Sequence, residues 1–168
     1  AYNTNQVLSI GGYTEDAVSG GTNDTRIVEG YPVGTNFLIR YAGVDPDNGQ
    51  PMYLDVDGNL TYEYNEERDR VPTGDVLPDA VGSLGNTFTY KNFDLNFMFV
   101  FTLGGHIYDS SSKRQMTFLS DWNTRADVGN RWKRPGDDLK YPKVTLNPAE
   151  HGNDKEWFNT DLFLHDAS

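Results

Sequence analysis
One run of eleven residues, Phe93 to Leu103 (FDLNFMFVFTL), limits the fold more than any other part of the chain. Phe93, Leu95, Phe97, Phe99, Phe101 and Leu103 occupy its odd positions, and Asp94, Asn96, Met98, Val100 and Thr102 its even ones. Side chains of a strand alternate between faces, so this period of two makes a β-strand with one strongly apolar face. Strands of soluble proteins average about 5–6 residues, and this one is roughly twice as long. Its apolar face also carries only large side chains. Two settings accept such a strand. One is the core of a soluble β-sandwich. The other is a transmembrane barrel, in which the odd-position residues face lipid and Asp94, Asn96 and Thr102 face a wet lumen.

The flanking segments also read as strands. Leu84 to Tyr90 places Leu84, Asn86, Phe88 and Tyr90 on one face, and only Lys91-Asn92 separates it from the long strand. Such a gap predicts a tight hairpin, with Asn taking the positive φ that the turn needs. Asn36 to Gly43 alternates Phe37, Ile39 and Tyr41 against Leu38, Arg40 and Ala42. Arg26 to Tyr31 and Val7 to Ile10 are further candidates, and Asp161 to Ala167 reads as the start of another strand. Between these runs lie two long loops, about 44–83 and 104–160. The first contains a small hairpin, MYLDV and LTYEY around Asp57-Gly58-Asn59. The second is expected to hold a short helix through KRQMTFLSDWNTRADV, capped by Ser111 or Ser112 and stopping near Gly129. A tight turn at one end and both excursions at the other is the asymmetry of outer-membrane barrels.

Composition removes several functions. With 25 acidic against 14 basic residues the net charge is −11, which repels phosphate backbones and excludes nucleic acid as a partner. No cysteine is present, so disulfide scaffolds, thiol catalysis and cysteine-based metal sites fall together. No stretch approaches the roughly 18 apolar residues of a membrane-spanning helix, whereas a membrane strand needs only about 9–11. Aromatic residues make up 13% of the chain, more than a disordered chain carries.

Candidate chemistry is sparse. Asp55, Asp57, Asn59 and Glu66 match positions 1, 3, 5 and 12 of a calcium loop, but Leu60 stands where its sharp turn requires glycine. Solvated turns account better for the Asp- and Asn-rich stretch 45–57. His106, His151 and His165 are too dispersed for a metal triad. No nucleophile elbow, P-loop or dinucleotide fingerprint occurs, and the reading is of a non-enzyme without cofactor or metal. Trp122, Trp132 and Trp157 are candidates for stacking on a sugar or peptide, or for pinning a long loop to its own core.

Two pairs of blocks carry a family resemblance. The first pair is YAGVDPDNGQPMYLDVDGN (41–59) and NTFTYKNFDLNFMFVFTLGGHIYD (86–109). The second is NRWKRPGDDLKYPKV (130–144) and FNTDLFLHDAS (158–168). Their order and spacing resemble the C-terminal part of the SusC/RagA-type TonB-linked outer-membrane proteins of the Bacteroidetes, along nearly the whole chain. The resemblance implies an all-β fold, residues 1–168 forming part of a large antiparallel barrel with long extracellular loops. It places the GVDP and W-x-x-PGD blocks in loops and YKNFDL at a barrel strand. It also implies import of oligosaccharides or peptides across the outer membrane, with a SusD-like surface lipoprotein as lid and TonB acting through parts not in this sequence. Five or six strands are fewer than the eight of the smallest membrane barrels, so a segment of a longer chain is expected. The reading from a different class is a soluble glycan-binding β-sandwich module.

Overall fold
The computed structural model describes residues 1–13, 25–116, 123–151 and 159–168. Nine strands and one short helix occur among them: β1 (Thr25–Arg26), β2 (Thr35–Val44), β3 (Pro51–Leu54), β4 (Leu60–Thr61), β5 (Arg70–Asp75), β6 (Ala80–Tyr90), β7 (Phe93–Leu103), β8 (His106–Tyr108), α1 (Ser110–Gln115) and β9 (Leu164–Asp166). Single 3-10 turns lie at Ala126–Asn130, Pro148–His151 and Asp161–Phe163. Every strand pair is antiparallel. The chain is therefore all-β, with the strands sorted into a cap and a bare ribbon.

β2 organises the cap. It pairs with β1 and β5 through its first half and with β3 through its second, and β4 extends β3. Residues 159–161 add to β2 as well. The Ile39 amide donates to the Asn159 carbonyl at 3.0 Å, and the Tyr41 amide donates to Asp161 Oδ1 at 2.8 Å. Ile39, Tyr53, Tyr64, Met116, Val128, Leu162 and Phe163 are buried together, with Tyr41, Tyr108 and Tyr141 packed against them. Rings of Tyr53 and Tyr64 meet edge to face with centroids 4.6 Å apart. The Tyr53 hydroxyl donates to the His151 carbonyl at 2.6 Å, so a buried phenol is satisfied while its ring fills the core.

The ribbon is β6 paired with β7 over eleven residues each, from Ala80↔Leu103 to Tyr90↔Phe93. Apart from Ala80, Gly82 and Phe97, which are half-buried, its residues are exposed on both faces. The cap is joined to it by Val76–Asp79 on one side and Gly104–Gly105 on the other. These connectors cross in contact: a Cβ on Gly105 would lie 3.3 Å from backbone atoms of residues 76–78, and one on Gly104 would strike the Asp79 carboxylate. Both glycines also hold positive φ, so glycine is needed twice over at each.

Several local expectations shift. The left-handed residue of the ribbon turn is Lys91, at φ 54°, and Asn92 is not in that region. β6 begins at Ala80, four residues earlier than the alternation suggests. The stretch 44–83 holds β3, β4, β5 and the start of β6, because its short apolar runs find partners on β2. Arg26 to Tyr31 is paired only at Thr25–Arg26, and 7–10 forms no strand although the Val7 amide donates to the Tyr31 carbonyl at 2.9 Å. Residues 161–163 turn as a 3-10 helix before β9 pairs with β8. α1 is capped by Asp109, whose carboxylate accepts from the Ser112 amide at 2.9 Å, rather than by Ser111 or Ser112. The helix ends at Gln115, and 117–122 lie outside the described residues.

Candidate functional site
The ribbon sorts its side chains by face. Directly paired residues of an antiparallel ladder share a face, so the register places Leu103, Phe101, Phe99, Phe97, Leu95 and Phe93 beside Ala80, Gly82, Leu84, Asn86, Phe88 and Tyr90. Phe88 and Phe97 stack with centroids 5.9 Å apart, and Phe97 meets Phe99 edge-on at 5.4 Å. The Phe101 ring lies over Gly82, where an added Cβ would come within 2.4 Å of it. Glycine thus makes room for an aromatic ring across the ladder. The result is a largely apolar surface on a single face, broken by Asn86 beside Phe97.

The opposite face carries Val81, Ser83, Gly85, Thr87 and Thr89 beside Thr102, Val100, Met98, Asn96 and Asp94. Near the turn it is polar, with Thr87 Oγ1 donating to Asn96 Oδ1 at 3.1 Å. Toward the cap Met98 and Val100 make it apolar. At about 3.3 Å per residue an eleven-residue strand is roughly 36 Å long, and a barrel tilt of about 40° reduces its rise to about 28 Å. That height matches the apolar band of roughly 25 Å in a membrane barrel. Tyr90 and Lys91 mark the turn end, the Lys91 ammonium 5.2 Å from the Tyr90 ring centroid.

In the cap, the two loop blocks singled out in the sequence interlock. Asp45 organises the first: its carboxylate accepts from the Asp47 amide at 2.8 Å, Asn48 Nδ2 at 2.6 Å and the Tyr62 hydroxyl at 2.7 Å. These bonds, the Tyr62 hydroxyl foremost, hold its carboxyl below the usual carboxylate range. The turn presents the Pro46 carbonyl outward. Trp132 Nε1 and the Gly136 amide both donate to that oxygen, each at 2.9 Å. The Trp132 ring rests on Gly49, where a Cβ would come within 2.4 Å of the indole, and the Lys143 amide donates to the Gly49 carbonyl at 2.9 Å. The second block closes on itself through the Trp132 amide and the Tyr141 carbonyl, again at 2.9 Å. Asp137 Oδ2 accepts from the Lys133 and Arg134 amides at 3.1 Å.

The remaining sequence candidates fall as follows. Trp132 has one ring face on Gly49 and its N–H on Pro46, while Trp122 and Trp157 lie outside the described residues. Asp55 spends its carboxylate on Asn59, accepting from its amide at 2.8 Å and its Nδ2 at 3.2 Å. Among the described residues no group of His, Asp or Glu is arranged to hold a metal ion. Sequence reasoning missed Asp69, a buried carboxylate that accepts from the Asn65 amide at 2.8 Å and from Arg68 Nε at 2.7 Å.

No family model matches the chain. A TonB-dependent receptor of Formosa agariphila, P26, is 30% identical over 148 residues, which cover 77% of this chain and 15% of that protein. TonB-dependent receptor SusC of Bacteroides thetaiotaomicron is 28% identical over 181 residues, covering 99% of this chain and 16% of its own length. Over most of its length the chain resembles a segment of the SusC/RagA-type TonB-dependent receptors. Solved structures agree in fold. That of the RagAB peptide transporter superposes with a TM-score of 0.66 at 18% identity, over 88% of this chain and 16% of the transporter chain. The RagAB peptide importer in its open-open state gives 0.62 at 16% identity. As a receptor segment, the chain spans about a sixth of the length of the relatives it matches, which is why its sheet does not close into a barrel. The ribbon has no second sheet packed on either face among the described residues.

Proposed function
We propose that this chain is a wall-and-loop segment of an outer-membrane importer, with β6 and β7 crossing the bilayer. The observation that carries the reading is the ribbon itself. Phe93, Leu95, Phe97, Phe99, Phe101 and Leu103 line one apolar strand face of membrane-crossing length, and among the described residues no second sheet packs over them. In this reading they contact lipid, Asp94, Asn96 and Thr102 line the lumen, the Lys91 turn is periplasmic and the cap is extracellular. Import of oligosaccharides or peptides, a SusD-like lipoprotein over the cap and TonB acting on parts outside this chain complete it. What supports these is the family, whose members include SusC and the neighbour solved as a peptide transporter.

The test is paired substitution in the full-length receptor. Near the bilayer midplane, arginine on the lipid face costs about 2–4 kcal/mol, whereas lumen positions tolerate it. Phe99→Arg is expected to lower the amount of receptor in purified outer membranes several-fold, and Asn96→Arg to leave it unchanged. Equal tolerance, or the reverse order, would sink the assignment.

A further inference from the structure
The two interlocked loops are opposite in charge. Residues 45–69 hold eight acids and one base, Arg68. Residues 131–143 hold five bases (Arg131, Lys133, Arg134, Lys140 and Lys143) and two acids, in a chain whose net charge is −11. A basic loop therefore sits on an acidic hairpin, and the contact between them is made by backbone groups rather than by side chains alone.

We propose that the 45–50 turn and the 131–143 loop form one mechanical body, clipped through the Pro46 carbonyl, which opens as a unit although 86 residues separate its anchor points. The carbonyl has two lone pairs, and both acceptor sites are used, by Trp132 Nε1–H and by the Gly136 amide. Gly49 is shared in the same way. Its open Cα face seats the indole and its carbonyl takes the Lys143 amide. Releasing either loop thus breaks three hydrogen bonds and exposes the indole at once. No intermediate in which only one loop leaves keeps its donors and acceptors paired. The neighbouring turns of the hairpin differ. Asp55–Asn59 closes on itself through Asp55 and Asn59, so it supplies an internal reference. Any ligand or partner that displaces one clipped loop must displace the other.

Hydrogen exchange of the full-length receptor in detergent, resolved by peptide, tests this. Trp132→Phe keeps an aromatic ring on Gly49 and removes only the Nε1–H donor. Gly49→Ala adds a Cβ where φ is +73° and the indole leaves no room. In each variant amides of both 45–50 and 131–143 are expected to exchange about fivefold faster or more, the factor for one net hydrogen bond of about 1 kcal/mol, with 55–59 unchanged. Acceleration confined to the substituted loop, acceleration that spreads to 55–59, or no change in Trp132→Phe overturns the proposal. The readout is exchange rather than import, so its outcome is independent of the importer reading.

Discussion

Tyrosine and phenylalanine divide this molecule. Five of the ten tyrosines, Tyr41, Tyr53, Tyr64, Tyr108 and Tyr141, build or line the core of the cap, and five of the nine phenylalanines stand on the ribbon. A buried phenol needs a partner, which the loops provide, as where the Tyr41 hydroxyl donates to the Lys140 carbonyl at 3.0 Å. A phenyl ring needs none, which suits hydrocarbon. Single carboxylates show similar sorting with opposite consequences for pH. Burial raises the pKa of Asp161, and the Tyr41 amide offsets this only in part. Its proton is therefore held more tightly in the folded state, so its contribution to stability is present in acid and is lost as pH rises through the folded pKa. The Arg68 guanidinium beside Asp69 lowers that carboxyl instead, so its contribution is present above the unfolded pKa and is lost on acidification. Asn can still accept from Tyr41 but carries no charge. Asp161→Asn is thus expected to raise the urea midpoint of the cap at about pH 7 and to change it little at about pH 4. A loss of stability at neutral pH would contradict this account.

Among the elements, the hairpin β6–β7 shows how far pattern reaches and where it stops. Alternation assigns each side chain to a face, because any slip of one residue would turn the phenylalanines to the polar side. It does not say which turn residue carries the unusual backbone angle. That residue is Lys91, and a non-glycine side chain in the left-handed region costs about 1–2 kcal/mol. Lys91→Gly is expected to stabilise the receptor in urea by about 1 kcal/mol, partly offset by the flexibility of glycine in the unfolded chain. Asn92→Gly should give no such gain, since Asn92 is not strained. Matching midpoints for the two variants would mean that the turn conformation differs from the one described. The helix α1 makes the same point at smaller scale. Ser111 and Ser112 offered caps, and Asp109 took the role, its amide held in place by the Phe163 carbonyl at 2.9 Å.

At the scale of the whole molecule, cap and ribbon differ in how they bury apolar surface. The cap has its own core, whereas the ribbon has two largely exposed faces and, among the described residues, edges without a strand partner along most of its length, a combination that drives association in water. Residues 1–3 pair with the start of β6, through hydrogen bonds of Val81 and Asn3 at 2.9 and 2.7 Å, and cover only the cap end of one edge. Asp79 and Gly104 touch, so the ribbon enters and leaves the cap at one point. Replacing Ala80–Leu103 by a short glycine linker is expected to convert the 168-residue chain from detergent-dependent aggregates to a monomer by size-exclusion chromatography. A cap that still aggregates would mean that its core depends on the ribbon.

By itself the sequence determined the strand period, the hairpin, the sorting of Phe93, Leu95, Phe97, Phe99, Phe101 and Leu103 to one face and the family resemblance, because each is written in local alternation or in ordered blocks. Only the tertiary structure decided how the loops are built. That Pro46 receives Trp132 and Gly136 and that 159–161 joins β2 depend on contacts between segments dozens of residues apart, and that Asp69 rather than the Asp-rich turns is buried is likewise visible only in the folded chain. Turn residues such as Asp, Asn and Gly satisfy their own backbone in many arrangements, so their pattern fixes a bend but not its partner. The hydrogen bonds that choose among those arrangements exist only once the chain has folded.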